Sequence, residues 1–132
     1  MATTGEVGPA TPDAVVAAGE DETRVLLRGL LRLHHLRVVG EAEGATPALD
    51  LVARHRPQVL VVDVNLTEGS ATDLVDAAKR ALPGVRVILV AHTGRVTRAD
   101  GRVPADVVLL RPFRIRELAE ALRGSEAPVA TA

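Results

Sequence analysis

Two Val-rich runs constrain this chain more than any other feature: Val59–Val62 (VLVV) and Val85–Ala91 (VRVILVA), the second broken only by Arg86. They are rich in β-branched residues and too short for helices. They do not alternate with polar residues, as a strand wet on one face would. A run that is apolar at every position suits a parallel strand covered on both sides. Parallel strands need crossover connections, so helices must lie between them. Three further short apolar stretches fit the same scheme: Ala14–Ala18 (AVVAA), Arg37–Val39 and Val107–Leu110 (VVLL).

The intervening segments carry helical spacing. Thr23–His35 brings Val25, Leu26, Gly29, Leu30 and Leu33 to one side, which is the face expected to pack. Thr46–His55 has Pro47 at a first helical position, followed by Leu51 and Val52. Thr72–Leu82 carries Leu74, Val75, Ala78 and Leu82, and Pro83-Gly84 stops it. Arg114–Arg123 repeats Ile115, Leu118, Ala119 and Leu122. The segment His92–Asp106 is the exception. It contains Gly94, Gly101 and Pro104, with only Val96, Ala99 and Val103 as spaced apolar groups, so a fourth helix there is expected to be weak. The pattern is five β/α units in an open parallel sheet, with helices on both faces and ligands taken at the carboxyl ends of the strands. Residues 1–12 are expected to be a flexible leader, 13–123 the folded domain and 124–132 a flexible tail. On this reading the 132 residues leave no room for a second, output domain.

Composition removes several function classes. The absence of cysteine excludes disulfides, thiolate catalysis and thiolate zinc sites, and fits a reducing compartment. One Phe and no Trp or Tyr leave no aromatic platform for single-stranded nucleic acid. With 16 basic and 17 acidic residues the net charge is −1, so no global field favours DNA or anionic lipid. No apolar run approaches the roughly 18–20 residues of a membrane helix, and MATTGEVGPATPD has no signal-peptide pattern. A cytoplasmic location follows as the expectation. There is no phosphate-binding G-x-x-x-x-G-K-[ST] and no G-x-G-x-x-G after the first strand, and no nucleophile with its supporting base and acid can be assembled. The chain is not expected to be an enzyme. His34, His35, His55 and His92 read as surface or capping groups, and Arg86, Arg95, Arg98 and Arg102 as a solvated basic face.

Charged residues do gather at the predicted strand ends. Asp63 follows the third strand, Glu20 and Asp21 the first, and Arg111 the fifth. A carboxylate just beyond four buried aliphatics is costly unless it is solvated, paired or metal-bound. At this point the chain resembles a known family. VVGEAEGATPALDLVARHRPQVLVVDVNL (Val38–Leu66) and LLRPF (Leu109–Phe113) are similar, in string and spacing, to segments of the receiver domains of two-component response regulators. The resemblance implies a flavodoxin-like sheet of strand order 2-1-3-4-5. It also implies Asp63 as phosphoacceptor, with a Mg²⁺ ion held by Asp63, the backbone carbonyl of Asn65 and an acidic pair after the first strand. The ion would neutralise charge as an anionic carboxylate attacks an anionic phosphorus.

The chain departs from the family pattern at several of these positions. In an ungapped register Ala18 and Gly19 stand at the acidic pair; a two-residue gap would make Glu20 and Asp21 the pair, and both registers stay open. Arg111 fills the lysine position and keeps the charge without the point-like ammonium. Val90 stands at the switch Thr/Ser, with Thr93 three residues on, and Val108 at the switch aromatic. Thr67 and Glu68 replace the common Pro-Gly, and Glu68 adds a negative charge near the site.

The expected function is a stand-alone, atypical receiver that works through protein contacts, with weak or absent Mg²⁺ binding. Its partner would be a histidine kinase, an output protein or a second copy of itself. Self-association would use the face of the fourth helix, fifth strand and fifth helix, where Arg111–Arg123 would lie. Two alternatives stand beside it: a conventional Mg²⁺-dependent phosphoacceptor, and a sensor binding an anion or small molecule at Arg111. Neither nucleic acid nor membrane is expected as a partner.

Overall fold

The computed structural model describes residues 11–92 and 105–123. Within them five strands run β1 (Asp13–Ala17), β2 (Arg37–Ala42), β3 (Val59–Asp63), β4 (Arg86–Ala91) and β5 (Val107–Leu110). Four helices accompany them: α1 (Asp21–Leu33), α2 (Ala45–His55), α3 (Ala71–Ala81) and α4 (Ile115–Ala121). All strand pairs are parallel, in the order β2-β1-β3-β4-β5, which is the order the family resemblance implies. Among the described residues no helix is long and apolar enough to cross a membrane. The weak fourth helix, the leader and tail, Thr93 and Arg95, Arg98 and Arg102 lie largely or wholly outside the described residues.

Strand periodicity divides the core in two, because successive side chains leave a strand on opposite faces. Val15, Ala17, Leu60, Val62, Val87 and Leu89 pack under α2 and α3, against Val52, Leu74, Val75 and Ala78. Ala14, Val16, Val59, Val61, Ile88 and Val90 pack under α1 and α4, against Leu27, Leu31, Leu118 and Leu122. Every residue of β3 is buried, so the central strand carries no solvent face at all. That explains the unbroken VLVV run. By the same alternation the side chain of Asp63 falls on the Val59 and Val61 side, beneath α1.

Three expectations need correction. β2 extends past Val39 to Ala42; Gly40 interrupts the apolar pattern because α2 approaches closely there, and a Cβ on it would lie 2.8 Å from Leu51 Cδ2. Pro47 is the third residue of α2, not the first; its missing N–H is harmless anywhere in the first turn. The face assigned to the first helix is the wrong one. Thr23, Leu27 and Leu31 are buried, whereas Leu33 is 70% exposed and Leu26 51%. The run VLLRGLLRL offers two apolar stripes about one residue apart, and periodicity cannot choose between them. Contacts with other elements decide: Arg28 pairs with Glu41 of β2 at 2.8 Å, and Thr23 meets Arg111 at the end of β5.

Polar links hold the edges. Arg86 donates to the carbonyl of Ala121 at 2.6 Å, fastening α4 to β4. Asp106 accepts from Lys79 Nζ of α3 at 2.6 Å and from the backbone N–H of Val87 at 2.7 Å, anchoring the start of β5. Partial burial pushes the Asp106 carboxyl upward, but the Lys79 and Val87 hydrogen bonds and the charges of Lys79 and Arg86 outweigh it, leaving it below its ordinary value of 3.8.

Two outcomes follow. Leu31→Ala is expected to cost about 2–5 kcal/mol in denaturant unfolding, while Leu33→Ala stays within about 0.5 kcal/mol of wild type; the reverse order would restore the exposed stripe as the packing face. A lowered Asp106 pKa contributes stability that is present above the unfolded-state value and is lost as pH falls through the folded-state value. The stability gap between wild type and Asp106→Asn should therefore be full at neutral pH and shrink on acidification below the ordinary aspartate range, as urea titrations at a series of pH values will show.

Candidate functional site

Asp63 is the last residue of β3, with 2% of its surface exposed. The register sets it beside Val90 of β4. Its Oδ1 accepts the backbone N–H of Asn65 at 2.8 Å, the tight turn that a carboxylate at a strand end commonly caps. Its Oδ2 is buried without a hydrogen-bond partner. Among the described residues its cationic partner is Arg111, whose Nη2 lies 3.7 Å from that oxygen.

Arg111 follows β5, and its backbone N–H bonds the carbonyl of Ala91 at 2.8 Å. The Arg111–Pro112 peptide bond is cis. The Arg111 guanidinium is held by a group that sequence reasoning missed: Nη2 donates to Thr23 Oγ1 at 3.1 Å. Thr23 is buried, and its hydroxyl donates to Glu20 Oε1 at 3.4 Å. On the other side Arg111 Nη1 lies 3.5 Å from His92 Nε2. A threonine in the first turn of a helix reads from sequence as a solvated or capping residue, and nothing in its spacing points to a contact 88 positions away.

The two loop acids do not converge on Asp63. Glu20 is the N-cap of α1 and Asp21 its first residue. Asp21 is paired with Arg24, and Arg24 Nη1 also donates to the carbonyl of Ala18 at 2.6 Å. The residues directly after β1 are Ala18 and Gly19. The N–H of Gly19 donates to the carbonyl of Asn65 at 2.7 Å, which uses one of this oxygen's two lone pairs. The approach is close enough to require glycine, since a Cβ on Gly19 would stand 2.8 Å from Asn65 O and 3.2 Å from Thr67 N.

Glu68 lies elsewhere than its sequence position suggested. Its carboxylate accepts from the N–H of Thr46 at 2.6 Å and from Thr46 Oγ1 at 3.2 Å, capping the start of α2. An acidic group is favourable at a helix N-terminus, where the backbone donors have no partners of their own. Val90 and Val108 present aliphatic groups, Val90 wholly buried under α1 and α4, Val108 packed toward α2 and α3.

The family resemblance implies a divalent ion at this crevice. Mg²⁺ asks for hard oxygen donors in near-octahedral array. Here one carboxylate, Asp63, faces the crevice; the carbonyl of Asn65 is bonded to Gly19, both loop acids are turned to Thr23 and Arg24, and a guanidinium lies beside the one unpartnered oxygen. Among the described residues no three acids or histidines gather at one place. The residues present do not fit the ion. What the arrangement can do is hold a buried carboxylate against a cation at the mouth of an apolar groove. That groove, of about 540 Å³, is lined by Leu26, Leu30, His92, Arg111, Phe113 and Ile115.

No family model matches the chain. It is similar to the transcriptional regulatory protein PdtaR of Mycobacterium tuberculosis, with 31% identity over 123 residues, covering 90% of this chain and 59% of that protein. It is also similar to the DNA-binding transcriptional activator DevR/DosR of Mycobacterium tuberculosis, with 31% identity over 109 residues, covering 78% of this chain and 50% of that protein. The chain thus spans only half to three-fifths of these relatives. Among solved structures it matches the receiver domain of AraT, a response regulator from Geobacillus stearothermophilus. The TM-score is 0.74 and the identity 27%, over 88% of this chain and 93% of that one. Sequence likeness along nearly the whole chain, the 2-1-3-4-5 sheet and an acid at the end of its central strand agree: the chain belongs to the response-regulator receiver domains of two-component signalling.

Proposed function

We propose that this receiver is an atypical one, a signalling module that acts through protein–protein contacts and in which phosphoryl transfer to Asp63 is strongly impaired. The observation that carries the reading is the surroundings of Asp63 Oδ2: Arg111 at 3.7 Å and, among the described residues, no second acid turned toward it. Transfer to a carboxylate depends on neutralising charge around the incoming phosphoryl group. Arg111 supplies one positive charge and no open coordination positions. Placement of Ala18 and Gly19 directly after β1 favours the ungapped register, in which Glu20 and Asp21 are helix-start residues and not an ion-binding pair. Val90 offers no hydroxyl to a phosphoryl oxygen.

Protein contact has a surface to use. Leu26 and Ile115 are large and exposed, and with Leu30, Pro112 and Phe113 they line the groove at the mouth of the site. Exposed apolar area of this kind marks interaction sites more often than chance. A histidine kinase or an output protein, in the cytoplasm, is the partner this reading calls for. The self-association face expected from sequence includes a fourth helix that lies outside the described residues, leaving β5 and α4 as its described part.

A conventional phosphoacceptor is the competing reading, favoured by the preserved position of Asp63 at the end of β3. Intact-mass spectrometry after incubation with Mg²⁺ and acetyl phosphate separates the two, with Asp63→Asn and an ordinary receiver in parallel. The expected outcome is little or no phosphoryl adduct on a folded protein while the ordinary receiver is labelled. A stoichiometric adduct that disappears in Asp63→Asn would establish the conventional reading.

A further inference from the structure

We infer that Arg111 is the resident cation of this site: its guanidinium, positioned by Thr23, holds the place beside Asp63 that a divalent ion would take and makes the crevice metal-independent. The inference rests on reading the crevice as an altered receiver site, and it adds what has replaced the ion.

Four observations carry it. Asp63 Oδ2 is buried and accepts no hydrogen bond, so its charge has to be answered through space. Among the described residues Arg111 Nη2 is the cation paired with it, at 3.7 Å, and it is itself only 21% exposed, so solvent screens the pair weakly. That same nitrogen is tethered to Thr23 Oγ1 at 3.1 Å, and Thr23 to Glu20 at 3.4 Å, which fixes the guanidinium between the starts of α1 and the end of β5. Finally, the oxygens that could help a metal compete each already answer a donor: Asn65 O that of Gly19 at 2.7 Å, Ala18 O that of Arg24 at 2.6 Å, and Asp21 that of Arg24.

Among the described residues the titratable and charged groups around the pair are few. From α1 come Glu20, Asp21 and Arg24, from the end of β4 comes His92, and from the end of β5 Arg111 itself. Arg24 is paired with Asp21, so among the described residues Arg111 is the counter-charge of Asp63. A planar guanidinium fixed at two points does not yield its place as a hydrated ion exchanges. Thr23 is a positioning residue in this arrangement and touches no reacting atom.

The test is thermal unfolding in MgCl₂ against NaCl matched in ionic strength, with no phosphodonor present. Its outcome is therefore independent of whether Asp63 can be phosphorylated. Wild type should show the same melting temperature in both salts. Arg111→Lys, which withdraws the fork and leaves a mobile ammonium, and Arg111→Ala should melt lower and gain a rise of several degrees in MgCl₂, because a ligand that binds the folded state stabilises it. Adding Asp63→Asn to either variant should abolish the rise. A wild-type melting temperature that climbs with Mg²⁺ as much as the variants' does, or Arg111 variants that fold and stay indifferent to Mg²⁺, would overturn the assignment. If Arg111→Ala does not fold, recovery of folding in Asp63→Asn/Arg111→Ala supports Arg111 as the counter-charge, and failure to recover refutes it.

Discussion

A buried carboxylate at the end of a fully buried strand is the constraint around which the rest of this molecule is arranged. β3 has no wet face, and its last side chain is an acid with one oxygen that no donor reaches. At 3.7 Å the attraction of a guanidinium is about 4 kcal/mol for an effective dielectric constant of about 20. Removing an ion from water costs several kcal/mol even after relaxation. The two figures are of the same size, so the pair contributes little net stability. What it imposes is geometry, because neither partner can leave without stranding the other.

That requirement reaches outward through the loops at the strand ends, which hold one another more than they hold a ligand. Gly19 bonds Asn65, joining the loop after β1 to the loop after β3. Thr67 donates to Glu43 through both its N–H, at 2.8 Å, and its hydroxyl, at 3.0 Å, joining the loop after β3 to the loop after β2. Glu68 then caps α2, whose own N-cap, Gly44, has no side chain to offer. The left-handed Gly69, with φ of 80°, lies so close to Ala45 that a Cβ would come within 2.5 Å of its methyl. Crevice loops zipped together in this way form a preorganised wall. The acids that would give a metal a foothold have been spent on helix starts.

Much of this was readable from residue order, and the failures are informative. Continuous Val-rich runs marked β3 and β4 because a doubly covered strand leaves no polar alternative, and Pro83-Gly84 marked the end of α3 because it cannot be helical. Strand order is not a property of local pattern; it came from the family resemblance. The packing face of α1 was misread because VLLRGLLRL is apolar on two adjoining stripes, and only Thr23 and Arg28 reveal which one turns inward. Thr23 itself was invisible, since its partner comes from the other end of the chain. Glu68 was taken for a charge near the site because sequence distance from Asp63 is short; the chain turns at Gly69 and carries its carboxylate to another helix. Asp63 and Arg111, by contrast, could be placed at the carboxyl ends of the third and fifth strands, and the structure brings them to 3.7 Å across the end of β4.

The side chain that answers Asp63 also lines the groove between α1 and α4, and this has a consequence for how the site can communicate. Val90, beside Asp63 in the register, is a buried aliphatic with no polar atom to report a change of charge. Val108 points its bulk to the opposite core. Polar connections from Asp63 run instead to Arg111, from Arg111 to Thr23 and His92, and from Thr23 to Glu20 at the start of α1. Leu26 and Leu30, the exposed and half-exposed leucines of that helix, form one wall of the groove, and Phe113 and Ile115 another. Among the described residues, then, the guanidinium paired with Asp63 is also part of the apolar groove's lining. Among the described residues the polar links of Arg111 lead to Thr23 at the start of α1 and to His92 at the end of β4, while Val90 and Val108 give the strands beside Asp63 no polar group of their own.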